Sequence, residues 1–237
     1  MQGKGHIATA LIALVAGFAG AALFAFSGLG TGAGGEGTRE YLLANPEVLR
    51  EASGELQRRD MLARIGDIRG ELETPFPGAV LGNPRGTVTL VEFSDYACGF
   101  CRQSLNDVQQ LIADNPDLKV VVREYPVLTP ESTDAAHMAL AAAQQGRYSA
   151  FHDAMFALGP PGPDAIEAAA RQAGVDLDRA RAAISTGMFD AQLQTNALLA
   201  QQLGVSGTPS WVVGDQALSG ALGAEAIGAA IKAARDS

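Results

Sequence analysis

The sequence has few residues that bind metals or nucleic acids. It contains two cysteines and three histidines, has no cluster of lysine or arginine, and carries a formal net charge of -9 at pH 7. Because binding to a phosphate backbone requires concentrated positive charge, we exclude nucleic acid as a partner. A zinc site is disfavoured as well, because the histidines (His6, His137 and His152) lack ligand spacing. Proteins or small thiols are therefore the expected partners.

Both cysteines lie in one motif, Cys98-Gly99-Phe100-Cys101, between an apolar run at 87–93 and a helical pattern at 102–113. Unpaired backbone N–H groups and the positive dipole end favour a thiolate at the first turn of a helix. We therefore expect Cys98 to be more acidic than a free cysteine and to be the exposed, attacking sulfur. Two intervening residues let Cys101 reach back and resolve a mixed disulfide. The motif predicts a dithiol redox site.

Three other interpretations of the motif were weighed. A purely structural disulfide would close so short a loop that it would remove little entropy from the unfolded chain. Half of a zinc site lacks partner ligands elsewhere in the sequence. Two inert buried thiols are disfavoured by their position at a strand-to-helix junction. The redox interpretation is favoured over all three.

The N-terminal segment predicts export. Residues 7–26 are uncharged throughout and follow Lys4, and about twenty apolar residues suffice to span a bilayer. We favour an uncleaved transmembrane anchor in residues 1–27, with the rest of the chain outside the cytoplasm. The alternative is a cleaved signal peptide, because Ala25-Phe26-Ser27 fits a small-x-small cleavage site. Both predict a periplasmic or cell-envelope protein, in a compartment where disulfides persist.

Two segments connect this anchor to the rest of the chain. Residues 28–37 are dominated by glycine and predict a flexible linker. Residues 38–72 predict an amphipathic helical segment, with Asn45 as N-cap, Pro46 at the first helical position, and breaks at Gly66 and Gly70. Its apolar positions are Val48, Leu49, Leu56, Met61, Leu62, Ile65 and Ile68. This stripe either docks on its own domain or pairs with a second copy of the chain.

Residues 74–237 predict an α/β domain. After the turn-rich stretch 74–86, a strand at 87–93, the helix at 102–113 and a strand at 118–125 form a βαβ unit with parallel pairing. An alanine-rich helical region follows at about 130–203, with breaks at 159–163, Gly174 and Gly187. A hairpin at 210–213 and 216–219 and a helix at 224–234 complete the domain.

This order of elements resembles a thioredoxin-like fold with an inserted helical domain, and more narrowly the DsbA-like family of exported disulfide oxidoreductases. Residues 41–49 are also similar to the N-terminal region of ScsC-like members, some of which oligomerise. This likeness implies a homo-oligomer formed through residues 38–72. The likeness to the DsbA-like family rests on Phe93-Ser-Asp-Tyr-Ala-Cys-Gly-Phe-Cys101, Arg123-Glu-Tyr-Pro-Val127, Phe151-His-Asp153 and Gly204-Val-Ser-Gly-Thr-Pro-Ser210.

The resemblance assigns roles to three further residues. It implies that Pro209 follows a cis peptide bond and lies against the cysteines, so that the backbone of Thr208 pairs with an extended substrate segment. It also implies that Glu92, as a buried acid, relays the proton of Cys101. The alternative for Glu92 is a solvated glutamate on an edge strand.

Other residues near the motif carry weaker predictions. His137 and His152 are expected to be structural or surface residues, and Trp211 to lie in the core. Tyr96 and Phe100 flank the cysteines and offer apolar contact to substrate or simply pack. The dipeptide Gly99-Phe100 departs from the Pro-His of the most oxidising family members and is closer to the Gly-Tyr of exported isomerases, so oxidase and isomerase both stay open.

The sequence thus predicts a thiol-disulfide oxidoreductase that acts on cysteine-containing exported proteins without a dissociable cofactor. A membrane redox partner must reset it. An oxidase needs a DsbB-like, quinone-linked partner, and an isomerase needs a DsbD-like partner that keeps it reduced. The alternative function is a chaperone that holds a soft metal ion such as Cu(I) between Cys98 and Cys101.

Overall fold

The computed structural model describes residues 33–236, together with Phe18. The chain divides into two compact units, Met1–Gln57 and Arg58–Ser237. No helix among the described residues is long and apolar enough to cross a membrane. The predicted span at 7–26 lies, apart from Phe18, outside those residues, so both the anchor and the signal peptide stay predictions.

Two helices precede the sheet, α1 (Ala33–Ala44) and α2 (Glu47–Leu72). Helix α1 begins inside the predicted linker 28–37, because an established helix gains one hydrogen bond for each residue it adds, even at glycine. As predicted, a helix starts shortly after Asn45, but α2 begins at Glu47, so Pro46 precedes the helix and is not its first residue. However, the Asn45 side chain donates to the Tyr41 carbonyl, 2.9 Å away, and so satisfies the end of α1 instead of capping α2.

The predicted breaks at Gly66 and Gly70 are wrong, since α2 runs through both to Leu72. Glycine costs about 1 kcal/mol in a helix interior, but both positions face open space, and burial of Ile65 and Leu72 offsets that cost. Met61 and Ile68 pack against the same cluster. This part of the predicted apolar stripe therefore docks on its own domain.

Five strands form one sheet in the order β1-β3-β2-β4-β5. The strands are β1 (Val80–Gly82), β2 (Val88–Ser94), β3 (Leu118–Glu124), β4 (Ser210–Val213) and β5 (Gln216–Ser219). Strands β2 and β3 pair in parallel through α3 (Gly99–Asp114), which confirms the predicted βαβ unit. Strand β1 lies in the stretch predicted as turns, because its three residues become a strand only by pairing with β3.

Helices fill the region between β3 and β4, as predicted. They are α4 (Pro130–Gln144), α5 (Tyr148–Leu158), α6 (Pro163–Gln172), α7 (Leu177–Ser185) and α8 (Asp190–Leu203). The sequence analysis missed the break between α4 and α5, where Gly146 has a φ of 68° that favours glycine. Helix α9 (Gly223–Arg235) closes the chain.

The sheet has two faces with different coverings. On the first, called the cysteine face, Leu90, Val120, Val122, Trp211 and Val213 join one apolar core with α3, α4–α7 and α9. The second, called the rear face, presents Val91, Phe93, Val121 and Val212 to residues of α2 and α8. Side chains alternate along each strand, so Glu92, Ser94 and Glu124 share the cysteine face with Leu90 and Val122.

Candidate active site

Cys98 is the N-cap residue of α3, with extended backbone angles (φ -78°, ψ 116°). Its amide donates to the Asp95 carbonyl at 3.0 Å, and its own carbonyl accepts from the amide of Arg102 at 3.1 Å. The Cys98 thiol donates to the Thr208 carbonyl at 3.2 Å. The Thr208–Pro209 bond is cis, as the resemblance implies. The structure therefore brings the Cys98 sulfur and the proline loop together across 110 residues of chain.

The structure corrects the expectation that the sulfur of Cys98 is exposed. Cys98 is only 6% exposed and Cys101 only 2%, and both are free thiols in this structure. The sulfur is covered because the Thr208 carbonyl approaches it from the proline loop. Phe100 projects instead, with 63% of its surface exposed.

Cys101 and Glu92 are buried together on the cysteine face. Glu92 is 3% exposed and stands opposite Trp211 on one side and Val122 on the other, so the alternative of a solvated edge-strand residue is wrong. Burial raises the pKa of Glu92 to about 7, partly opposed by the Ser94 hydroxyl. Burial, and next the nearby Glu92 charge, hold the pKa of the Cys101 thiol well above its usual value.

Asp95 ties the cysteine loop to the segment after β3. Its Oδ1 accepts from the Ala97 amide at 2.8 Å, and its Oδ2 accepts from the amides of Val127 and Leu128 at 2.8 and 3.0 Å. A carboxylate that accepts three backbone N–H groups holds both segments in one geometry. The sequence analysis did not single out this residue.

A second buried acid, Glu124, lies at the end of β3 with 1% exposure. Its Oε1 accepts from the hydroxyls of Tyr96 at 3.1 Å and Tyr148 at 2.7 Å. The Tyr96 hydroxyl also lies 3.2 Å from Nδ1 of His152. Burial lowers the pKa of His152 to about 4, so its ring stays neutral near pH 7. The result is a buried polar network directly behind the cysteines.

The structure agrees with some of the remaining predictions near the motif and not with others. Trp211 is fully buried, as predicted, and its Nε1 donates to the Gly220 carbonyl at 2.9 Å. His152 is a buried structural residue, and His137 pairs with Asp190 at 2.9 Å. Tyr96 cannot touch substrate, because it is 2% exposed and packed against Phe151 and Phe156. Of the two flanking aromatics, only Phe100 is placed to meet a partner.

Asp95, Glu124 and Tyr148 also belong to this region, but the sequence alone assigned no role to them. A signal for Glu124 was present, since a charged residue within a β-branched run is the same signal that singled out Glu92. Tyr148 gave none, because its neighbour in space lies 24 residues away in the chain. No group of three or more histidine, cysteine, aspartate or glutamate side chains in the described part of the chain is arranged to hold a metal ion.

Known proteins show the same architecture. A thioredoxin-like oxidoreductase from Silicibacter pomeroyi is 39% identical, with a TM-score of 0.64, over 67% of this chain and 92% of that one. The thiol-disulfide exchange protein alpha-DsbA2 from Wolbachia pipientis is 28% identical, with a TM-score of 0.67, over 74% of this chain and 97% of that one.

One group of relatives is much longer than this chain. The Na⁺/H⁺ antiporter NhaA 3 of Salinispora tropica is 30% identical over 195 residues, which are 79% of this chain. The chain spans 30% of the length of that antiporter. The likeness therefore concerns one segment of the antiporter.

Two family models match the chain. Residues 38–61 match the N-terminal domain of the copper resistance protein ScsC. Residues 89–232 match the DSBA-like thioredoxin domain, and this match covers more than half of the chain, including both cysteines and the proline loop. The chain therefore belongs to the DSBA-like thioredoxin domain family.

Proposed function

We propose that this protein is an exported thiol-disulfide oxidoreductase that exchanges disulfides with cysteine-containing proteins through Cys98 and Cys101. The observation that carries the proposal is the position of the Cys98 sulfur. It lies at the first turn of α3, 3.2 Å from the Thr208 carbonyl of the proline loop. This position places the sulfur at the start of a helix and beside a backbone edge that can align an extended peptide.

In the oxidising direction, the disulfide form of the protein reacts with a substrate dithiol. A substrate thiolate attacks the Cys98 sulfur of the Cys98–Cys101 disulfide, which breaks that bond and releases Cys101 as a thiolate. A second substrate thiolate then attacks the substrate sulfur bound to Cys98 and releases the Cys98 thiolate. The substrate dithiol becomes a disulfide, and the enzyme disulfide becomes a dithiol. A membrane redox partner then removes the two electrons.

In this scheme Glu92 donates a proton to the buried Cys101 sulfur and accepts one from it. A Cys101 thiolate is costly in this buried position, so the protonated Glu92 carboxyl gives it a proton as it forms. In the reverse direction Glu92 takes that proton when Cys101 attacks. A pKa of about 7 lets Glu92 act in both directions near neutral pH.

The test uses a chromogenic aromatic disulfide and the reduced protein. Attack by Cys98 releases one aromatic thiolate in a bimolecular first phase, and attack by Cys101 on the mixed disulfide releases another in a unimolecular second phase. Cys98→Ser is expected to abolish both phases and the reduction of insulin. Cys101→Ser is the matched control, which keeps the first phase, loses the second and accumulates the mixed disulfide. Both phases surviving in Cys98→Ser would overturn the proposal.

A refolding assay distinguishes oxidase activity from isomerase activity. Reactivation of scrambled ribonuclease by the reduced protein supports an isomerase, and oxidation of reduced ribonuclease by the disulfide form supports an oxidase. The equilibrium potential of the pair against glutathione decides which form the protein holds in a given compartment.

Export and anchoring rest on residues 1–27. The uncharged stretch at 7–26 supports a membrane anchor that keeps the catalytic domain in the periplasm or cell envelope. Fractionation of cells that express the full chain tests this. An anchored protein stays in the membrane pellet after an alkaline wash, whereas mature protein in the soluble extracytoplasmic fraction would show cleavage.

Self-association is proposed for the first unit of the chain. Within it, Tyr41, Leu43, Leu49 and Leu56 are each more than half exposed, and apolar side chains at this density favour a second copy of the chain. Leu49→Lys combined with Leu56→Lys is expected to reduce the sedimentation coefficient to that of a monomer. Glu51→Lys, an exposed charge change on the same helix, is the control and should leave it unchanged.

A second candidate is the Cu(I) chaperone, which the match to a copper resistance protein domain favours. Two thiolates can hold a soft monovalent ion without a third ligand. Copper content after anaerobic purification tests this candidate, with the Cys98→Ser, Cys101→Ser double variant as control. Equal copper in both proteins would rule out binding at the two cysteines.

A further inference from the structure

We propose that Glu124 is a positioning residue for proton transfer at Cys101, because its charge sets how strongly Glu92 holds the proton. This inference rests on the proposed function, since it concerns the second chemical step of that reaction. The reaction scheme gives no role to the Glu124 carboxyl, although it is buried beside that of Glu92.

The strand register places the two acids together. Glu124 stands opposite Ser94, and Glu92 stands opposite Val122, so the two carboxyls occupy neighbouring diagonal positions on parallel strands. Both lie on the cysteine face, with exposures of 3% for Glu92 and 1% for Glu124. Their charges interact directly, since an ionised Glu92 raises the pKa of Glu124. Because both side chains are almost fully buried, solvent screens this repulsion only weakly.

The hydrogen bonds of Glu124 suit a carboxylate. Tyr96 and Tyr148 both donate to the same oxygen, Oε1, and two donors on one oxygen stabilise negative charge. The adjacent residue Arg123 does not neutralise this charge, because its guanidinium is turned to the rear face and donates to the Leu72 carbonyl. Glu124 thus has donors that make ionisation accessible and an anionic neighbour that opposes it.

The electrostatic environment agrees with this geometry. Burial raises the pKa of Glu124 to about 8, while the hydrogen bonds from Tyr148 and Tyr96 lower it. Two carboxyls this close titrate as a pair, so the first proton leaves more easily than the second. The titratable groups that face the pair from the surrounding elements are Asp95, Tyr96, Cys101, Tyr148 and His152.

The consequence for the reaction has a definite sign. When Cys101 attacks the mixed disulfide, a bond forms between the Cys98 and Cys101 sulfurs, the leaving thiolate departs, and the Cys101 proton moves to Glu92. An ionised Glu124 makes Glu92 a stronger base for this proton through like-charge repulsion. The second phase should therefore accelerate twice as the pH rises, first as Glu92 ionises and again as Glu124 ionises.

The experiment is the two-phase aromatic disulfide assay, followed from about pH 6 to about pH 9 with wild type and Glu124→Gln. Glutamine keeps an acceptor for both tyrosine hydroxyls but cannot ionise. We expect the variant to lose the upper inflection of the second phase and to fall roughly threefold to tenfold below wild type at the alkaline end. A second-phase profile that superimposes on wild type in a folded variant would overturn the proposal.

A second variant guards against misfolding and against a merely structural role. Tyr148→Phe removes one donor to Glu124 without changing any charge, so the upper inflection should move to higher pH. An unmoved inflection in folded Tyr148→Phe contradicts the proposal even if Glu124→Gln does not fold. The first phase reports only on Cys98, so its loss in wild type would count against the proposed function and not against the role of Glu124.

Discussion

The two faces of the sheet both bury charged side chains, but they treat them differently. On the rear face the Arg123 guanidinium donates to the carbonyls of Glu71, Leu72 and Thr74 and to Oδ1 of Asn196. On the cysteine face, the pKa values of Glu92 and Glu124 are raised to about 7 and about 8 by burial. On the rear face, carbonyl groups thus solvate the Arg123 charge. On the cysteine face, Glu92 and Glu124 can each gain or lose a proton near neutral pH.

The buried charge on the rear face therefore stabilises the fold, whereas the buried acids on the cysteine face are suited to proton transfer. Arg123 closes the C-terminal end of α2, whose last carbonyls have no partner inside the helix, and so attaches α2 to the sheet. Glu92 and Glu124 lower the stability of the fold when they ionise, because burial removes water from their charges. Buried acids that destabilise a protein are retained where their protons are used.

The largest effect is expected on the rear face. Arg123→Met should lower the free energy of unfolding by about 3 kcal/mol, because it leaves several buried carbonyls without a donor. Urea denaturation measures this, and the first phase of the disulfide assay should be unchanged in the folded variant. Arg69→Met is the control, since Arg69 is 35% exposed where it pairs with Asp215 at 2.5 Å and Glu73 at 3.1 Å and donates to the Gly214 carbonyl at 3.0 Å. An exposed pair contributes no more than about 1 kcal/mol, so equal losses in both variants would contradict the distinction.

On the cysteine face, Glu92→Gln is expected to slow the reaction and to raise the free energy of unfolding. The second phase should slow by about 100-fold for lack of a proton acceptor, while the free energy of unfolding at about pH 8 rises by on the order of 1–3 kcal/mol. Urea denaturation and the disulfide assay measure the two effects. The exposed Glu225→Gln should change neither, and a slower second phase without a stability gain would count against a buried ionised Glu92.

The stability of the wild type should depend on pH with a predictable sign. Glu92 and Glu124 hold protons in the folded state up to about pH 7 and about pH 8, but release them near pH 4.5 when unfolded. Stability therefore falls as the pH rises from about 4.5 to about 8. His152 acts in reverse, because its pKa falls from 6.5 to about 4, so stability is also lost below pH 6.5.

Thermal unfolding across this range measures the balance between these groups. Between about pH 6.5 and about pH 8 the two acids account for most of the pH dependence, and the midpoint should decline. The decline should become shallower in Glu92→Gln and in Glu124→Gln. A flat alkaline side in the wild type would show that the two carboxyls do not take up protons on folding.

The smallest effect is expected at the rim of the site. Phe100→Ala should change the free energy of unfolding by less than about 0.5 kcal/mol, because the side chain is 63% exposed. It should slow exchange with an unfolded protein substrate a few-fold but leave the small aromatic disulfide unaffected. Leu222→Ala, at 42% exposure, is the control, and equal slowing in both variants would remove Phe100 from the substrate surface.

Much of the architecture could be predicted from local sequence. The run that became β2, the parallel partner β3, the hairpin around Gly214-Asp215 and the last helix all carry their own periodicity or turn residues. Element ends were less predictable. Helix α2 continues through Gly66 and Gly70 because packing of its buried face outweighs propensity, and β1 exists only through its partner strand.

The sequence by itself determined which atoms are suited to disulfide exchange. Two cysteines separated by two residues at the start of a helix fit that reaction better than they fit a zinc site or a purely structural disulfide. Only the tertiary structure decided that Cys98 is covered by the Thr208 carbonyl, and that Glu124 meets Tyr96 and Tyr148. Those partners lie between 24 and 110 residues apart in the chain. Burial and proton affinity depend on neighbours in space, and no local pattern of residues records which neighbours the fold will bring.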